Sequence, residues 1–377
     1  MATPHPGRPT LCFIDLSALR ENFRQIKTKV GPRVKILSMV KANAYGHGAP
    51  AVARALAAEG SDAFGVATVE EGIELRQAGI RQPIIVLAGV YLEQLDLFIQ
   101  NDLIPVLHEL ETLTALEKTL AGQGMTLPIH LEIDTGMGRI GFLDSQINDW
   151  LPEMGKLKAL KLEGVFSHFS DGETPNEAYT ENQLKSFLLV TERFRRAVFV
   201  PSLVHMAKSG AIITVPDSHL AMVRPGLILY GIYPSTAVTK EIHLKPVLSW
   251  KTRVLQLRRL PRGSSIGYGR TFKTKRDSLI ATLPVGYADG YQRLFSNRAC
   301  VLVRGERAPV VGRVSMDLTT VDVTDIRKVQ QGDEVVLLGR QGDAEISADQ
   351  MATWANTISY EILTSIGARV PRIHHNL

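Results

Sequence analysis

Apolar residues recur along this chain at two spacings, and the change from one to the other divides it. Leu16, Leu19, Phe23, Ile26 and Val30 lie on one face of a 3.6-residue period, with Asp15 placed to cap the start and Gly31 to stop the end, so a helix is predicted over 15–30. A short apolar piece, Leu11–Ile14, precedes it as a strand. Continuous apolar runs then end near Val40, Val69, Ala88, Leu107, Ile133, Ser167, Met206 and Leu229. Most of the gaps hold amphipathic stretches such as VEEGIELRQAGI, ELETLTALEKTLAGQ and TENQLKSFLLVTERFRRAV. Eight alternating strand–helix units fit a closed (β/α)8 barrel of TIM type, typically about 250 residues, with an open doubly wound sheet as the competitor.

The pattern shortens near Pro234. From Leu244 onward brief β-like runs (VLSWKTRVLQLRRL, SLIATLPVGYA, ACVLVRGERAPVVGRV, TTVDVTDI, DEVVLLGRQG) alternate with Gly, Pro and Asp turns. The expected organisation is an N-terminal strand (1–14) packing with the C-terminal domain, a barrel (15–240), and a mostly β domain (241–377), with the boundary inside YPSTAVTKEIHLKP.

Composition narrows the class. With 45% hydrophobic and 21% charged residues, the 377-residue chain is an ordinary globular protein. Its formal charge is +5, but the basic residues are dispersed and no aromatic-interleaved basic stripe accompanies them, so no nucleic-acid partner is expected. Cys12 and Cys300 form no disulfide framework, the opening ten residues lack a signal-peptide core, and no apolar run reaches ~18 residues. A cytoplasmic protein without a membrane span is expected.

Barrels carry their chemistry at the C-terminal ends of the strands. Lys41 follows strand one, Arg139 strand five, His168 ends strand six, Ser209 follows strand seven, and Arg224 with Gly226 is assigned to strand eight. Lys41 has two readings: a stem buried with its head in water, or a partly desolvated amine that forms a Schiff base. The segments HMAKSGAI and VRPGLILYG, after strands seven and eight, stand where barrels often hold a phosphate. A phosphate opposite a Schiff-base lysine points to pyridoxal phosphate. Arg224 is placed for the pyridine nitrogen, and since a guanidinium gives up no proton in practice, that nitrogen stays unprotonated. A weaker electron sink favours simple proton return over transamination.

GMGRIG fits a dinucleotide fingerprint but follows four strand–helix units instead of opening the first, and DTG occurs once, without aspartic-protease surroundings. No Walker A, H-E-x-x-H or C-x-x-C sequence is present, and no metal site is expected.

MVKANAYGHG resembles the pyridoxal phosphate lysine motif of the alanine racemases, and the likeness continues through DTGMGRIGF, FSHFS, VRPGLILYG, GYGRTF, PVGYADGY, GRVSMD and ISYEIL, over essentially the whole chain. The resemblance implies a homodimer with shared active sites that interconverts L- and D-alanine by a two-base mechanism, supplying D-alanine for peptidoglycan. Lys41 would bind the cofactor and serve as base for the D enantiomer; Tyr268, from the partner subunit, would serve for the L enantiomer. His168 and Arg224 would form a network supporting the phenol. Arg139 and the backbone N–H of Met316 would mark the substrate site, and Tyr45, Ser209, Gly226, Leu227 and Tyr360 would surround the phosphate. Tyr287 and Tyr360 would narrow the entrance, with Arg293, Arg313 and Asp171 lining it.

Three positions depart from the family pattern. Lys208 stands where Asn is usual, adding a positive charge toward the phosphate. Ser315 replaces a common Cys. Glu132 stands where many relatives carry a carbamylated lysine, and would supply that anion genetically to orient Arg139. The competing functions are a racemase for serine or another amino acid and a non-catalytic pyridoxal phosphate carrier.

Overall fold

The computed structural model describes residues 7–174, 177–197, 199–235, 238 and 241–376. Positions 236, 237, 239 and 240 of the expected domain boundary, and the first six of the N-terminal piece, lie outside the described residues. The chain forms two compact units. One comprises residues 19–44 and 49–245; the other comprises residues up to Ala18, Tyr45–Gly48 and the chain from Pro246 on.

The larger unit is a closed barrel of eight parallel strands. They are Lys35–Met39, Ala63–Val66, Ile84–Val86, Ile104–Leu107, Leu127–Asp134, Leu160–Ser167, Leu203–Lys208 and Met222–Arg224. Closure is direct, through Met222 beside Lys35 and Val223 beside Ile36, and it eliminates the open-sheet alternative. The strands are almost wholly buried because crossover helices such as Val69–Gln77, Leu110–Gln123 and Ala178–Arg196 cover their outer faces.

Three strands stop short of their expected ends by two residues or more, and the seventh runs past Met206 to Lys208. The second strand stops at Val66, because the Thr68 hydroxyl accepts a hydrogen bond from the Glu71 N–H and starts a helix at Val69. The third ends at Val86, short of Ala88. The eighth ends at Arg224 instead of Leu229, since Pro225 has no N–H to donate to a ladder; Leu227–Tyr230 forms a short 3-10 turn, and Gly226 therefore lies beyond the strand. The helix predicted over 15–30 is found at Leu16–Val30, with Asp15 Oδ1 accepting from the N–H groups of Ser17 and Ala18.

The smaller unit is largely β. Leu11–Asp15 lies in its main sheet, antiparallel to Leu248–Arg253 and parallel to Arg372–His375. A second sheet joins Gln256–Leu260, Ser278–Leu283 and Thr319–Asp322, and Ser265–Ile266 pairs with Phe272–Lys273 as a tight hairpin. Trp250, Tyr291 and Phe295 fill the interior. Two helices that the β-like texture did not announce, Ala348–Ala355 and Ser359–Thr364, complete it. Among the described residues no helix is long and apolar enough to cross a membrane.

Candidate active site

At the mouth of the barrel, Lys41 follows the first strand and opens an unusual turn. Ala42, Asn43, Ala44 and Tyr45 all have φ between 51° and 53°, one turn of left-handed helix built without glycine until Gly46. Such backbone costs L-residues roughly 1 kcal/mol or more each, so it persists only where surrounding contacts hold it. They do: the Ala42 N–H donates to Glu71 Oε1 at 2.5 Å, the Ala49 N–H to Asn43 Oδ1 at 2.8 Å, and Arg372 Nε to the Gly46 carbonyl at 2.9 Å. The side chain of Lys41 reaches solvent, yet the surrounding mouth strips part of the hydration of its amine. Its pKa is lowered, first by that desolvation and then by Arg139 and Arg224, while Glu71 and Glu132 act in the opposite direction. The amine is thus nearer to its nucleophilic form than an ordinary surface lysine.

Arg224 is buried and fixed on several sides. One terminal nitrogen donates to His205 Nδ1 at 2.9 Å; the other reaches the Ser167 carbonyl at 2.8 Å, the Met206 carbonyl at 3.1 Å and His168 Nδ1 at 3.3 Å. Its guanidinium lies 4.8 Å from the centre of the Phe166 ring, which also stacks on His205. Burial lowers the Arg224 pKa to about 10, with Glu132 opposing that shift, and the group stays cationic at neutral pH.

Because arginine only donates, it dictates the imidazole tautomers. His205 Nδ1 must accept, so its Nε2–H points to His130 Nδ1, 3.0 Å away; His168 Nδ1 must likewise accept, leaving its proton on Nε2. Burial and the Arg224 charge keep His168 and His205 well below the ordinary histidine value and bring His130 to about 3, so all three are neutral at physiological pH. His168 then presents an N–H, and no charge, at Nε2.

Glu132 is buried on the fifth strand, and its Oε2 faces His108 Nε2 at 3.1 Å. Arg139 is exposed and makes no side-chain hydrogen bond among the described residues, while Asp134, two residues past Glu132, accepts the Gly136 and Gly138 N–H groups of the loop leading to it. At the ends of strands seven and eight, the buried Ser209 hydroxyl accepts the Gly226 N–H at 2.9 Å, with Leu227 buried beside them. Lys208 is not an uncompensated cation: its Nζ lies 2.9 Å from Glu173 Oε1. Asp171 turns to its own loop, where its Oδ1 accepts from the Gly172 and Glu173 N–H groups and its pKa falls for that reason.

The smaller unit gathers a second set. Tyr268 stands at the tip of the Ser265–Lys273 hairpin and is 70% exposed. It is flanked by Gly267 and Gly269 at φ 69° and 70°, a conformation that side chains with Cβ rarely adopt. The same tip packs on Arg313, which lies 3.1 Å from where a Gly269 Cβ would stand. Nearby, the Tyr287 and Ala288 N–H groups donate to the carbonyls of Ser315 and Met316, each at 3.0 Å. Gly286 permits that approach, since a Cβ there would fall 2.3 Å from both carbonyl oxygens. The buried carboxylate of Asp289, paired with Arg8 and Arg369, accepts the Gly286 N–H and holds this loop. Arg293 lies exposed on the 3-10 turn Arg293–Phe295, and the rings of Tyr45 and Tyr360 sit 6.0 Å apart.

Sequence reasoning selected Lys41, Arg139, His168, Arg224 and Ser209 but passed over His205, His130, His108, Glu71 and Glu173. The available signal was alternation: His130 and Glu132 share a strand face, and His205 lies on a strand leading to the mouth.

The donor set suits pyridoxal phosphate: an amine of lowered pKa, an immobilised guanidinium, and a hydroxyl joined to a backbone N–H beyond adjacent strands. Comparison with known proteins agrees. The model for the alanine racemase N-terminal domain matches residues 14–234, and that for the C-terminal domain matches 247–374. An alanine racemase of Halothermothrix orenii is 45% identical over 369 residues, covering 98% of this chain and 97% of its own. The solved alanine racemase of Clostridium difficile 630 superposes with a TM-score of 0.93 at 35% identity, over 99% of this chain and 98% of that one. A solved alanine racemase of Bartonella henselae with covalently bound pyridoxal phosphate gives 0.88 at 32% identity, over 98% of this chain and 100% of that one.

Proposed function

The chain belongs to the alanine racemase family and is a pyridoxal phosphate-dependent amino-acid isomerase; we propose that it interconverts L- and D-alanine using Lys41 and, from a second copy, Tyr268 as the two bases. The lowered pKa of the Lys41 amine, after the first barrel strand and under the influence of Arg139 and the immobilised Arg224, carries this reading. When bound, pyridoxal phosphate supplies an electron sink that makes the substrate α-proton removable.

The protein's own groups do the rest. Lys41 takes or returns the α-proton on one face, and Tyr268 on the other, so each delivers the proton the other did not take. His168 Nε2–H, whose direction follows from the Arg224 bond to Nδ1, is available to hold the phenol oxygen and stabilise its anion. Arg224 offers the pyridine nitrogen a donor that keeps its own proton, which limits electron withdrawal and favours proton return. Arg139 binds the substrate carboxylate, and the Met316 backbone N–H is a second donor to the substrate. Ser209, Gly226, Leu227, Tyr45 and Tyr360 hold the phosphate, and Tyr287, Tyr360, Arg293, Arg313 and Asp171 form the entrance. D-alanine formed here serves as a peptidoglycan precursor, consistent with a cytoplasmic homodimer.

Incubation with single amino acids in deuterium oxide tests the function. Alanine of either hand is expected to reach an equal mixture with deuterium at the α-carbon, and serine or longer amino acids to turn over far more slowly. Bound cofactor without α-deuteration would reveal a carrier; preferential exchange of serine would reassign the substrate.

Glu132 supplies the anion that orients Arg139 in this reading, with His108 fixing the carboxylate. Activity is therefore expected to be independent of bicarbonate. Glu132→Gln should raise KM for alanine about two- to fivefold, the scale of a charge acting on Arg139 without a direct hydrogen bond, and bicarbonate should partly restore Glu132→Lys. A Gln variant with unchanged KM rules out this role.

A further inference from the structure

The left-handed turn after Lys41 has one anchor whose chemistry reaches further than its local role. Glu71 sits in the first turn of the helix Val69–Gln77, where its own N–H is taken by the Thr68 hydroxyl at 3.4 Å. A capping-box glutamate normally spends its carboxylate on the backbone N–H of the capping residue. Here that bond is the long one, 3.4 Å to the Thr68 N–H; the stronger bonds run from the Ala67 N–H to Oε2 at 2.8 Å and from the Ala42 N–H to Oε1 at 2.5 Å. One carboxylate thus joins the end of the second barrel strand to the residue following Lys41, where the left-handed run begins. Two further bonds of this stretch serve other segments: Ala44 N–H closes the turn on the Val40 carbonyl, and Asn43 Oδ1 accepts further along, from Ala49 N–H.

We propose that Glu71 is a positioning residue for Lys41: its carboxylate holds the start of the strained turn and fixes where the lysine amine points, and it places an anion beside that amine. The proposal rests on the reading of Lys41 as the cofactor lysine. Ala42, Asn43 and Ala44 gain nothing intrinsic from φ near 52°, apart from the modest tolerance of Asn, so the conformation must be imposed from outside. An ionised carboxylate is suited to this, because it accepts from both amides at once, and bonds to a charged acceptor are stronger than neutral ones. The charge also offsets part of what Arg139 and Arg224 do to the amine; Glu132 is the other anion that acts on it. Glu71 thereby keeps Lys41 able to bind a proton after taking one, as a base that must also return it requires.

The test uses the holoenzyme. Glu71→Gln keeps the size and one acceptor oxygen but turns an amide NH2 toward a second N–H donor, and Glu71→Ala removes both bonds. Amide hydrogen exchange at Ala42–Ala44 is expected to accelerate about tenfold in Glu71→Gln and more in Glu71→Ala. The absorbance titration of the lysine-bound cofactor should shift to lower pH by about half a unit, a carboxylate effect discounted for its partial exposure. Thr68→Ala, which loses the helix cap and retains the carboxylate, should leave both readouts at wild-type values. Wild-type exchange and titration in Glu71→Gln would overturn the proposal, as would a Thr68→Ala variant that reproduces both changes, because the effect would then belong to the helix cap. Borohydride trapping on Lys41 in the wild-type protein tests the underlying site assignment separately.

Discussion

Lys41→Ala is expected to abolish racemisation, with a loss of at least about 10³-fold, because one substitution removes both the covalent attachment of the cofactor and one of the two bases. In the wild-type protein, borohydride reduction should fix the cofactor on Lys41, seen as a mass increase confined to the peptide spanning Met39–Gly48. Label on any other lysine defeats the assignment. Added methylamine should restore a fraction of turnover to Lys41→Ala in both directions, since a small amine can enter the vacated volume and take or return the proton on that face. The physical ground is the environment of the amine: surrounding protein and the cations Arg139 and Arg224 lower its proton affinity by more than Glu71 and Glu132 raise it.

Tyr268→Phe should retain bound cofactor, since its loss takes away a base and no attachment, while cutting turnover by roughly 10²–10⁴-fold. Mixing it with Lys41→Ala decides whether the site is shared. If Tyr268 serves the partner, a hybrid dimer contains one site with both bases intact and one with neither. Random subunit exchange then restores about one quarter of wild-type activity from two inactive preparations. If each chain uses its own Tyr268, the mixture stays inactive. The exposure of this phenol, at the tip of a hairpin whose positive-φ turn Gly267 and Gly269 permit, is what makes it available to a second copy.

Much of the barrel was legible from the chain alone. Parallel strands covered on both faces are largely apolar, so Ala63–Val66, Ile84–Val86 and Ile104–Leu107 stand out as runs, and polar residues after such strands fall at one mouth. Lys41, His168 and Ser209 could be singled out for that reason. The errors cluster where a local cap or a proline overrides an apolar run, as at Thr68 and Pro225. The two helices of the smaller unit are hidden in the sequence because they are only 8 and 6 residues long, too short for a period to emerge. Lys208 was read as an added positive charge because its counter-ion, Glu173, comes from a different loop.

What the sequence determined by itself is therefore the alternation of strands and helices and the residue types at the strand ends, which follow from short-range pattern and backbone preference. What only the tertiary structure decided is the state of those residues. The tautomer of His168 depends on Arg224, 56 positions away, and the His205–His130 contact joins residues 75 apart. The left-handed turn contradicts the preferences of Ala42, Ala44 and Tyr45, and exists because Glu71 and Arg372 hold its backbone from distant segments. Proton affinity and side-chain direction depend on neighbouring charge, lost water and fixed donors, and closing the barrel is what brings those groups together.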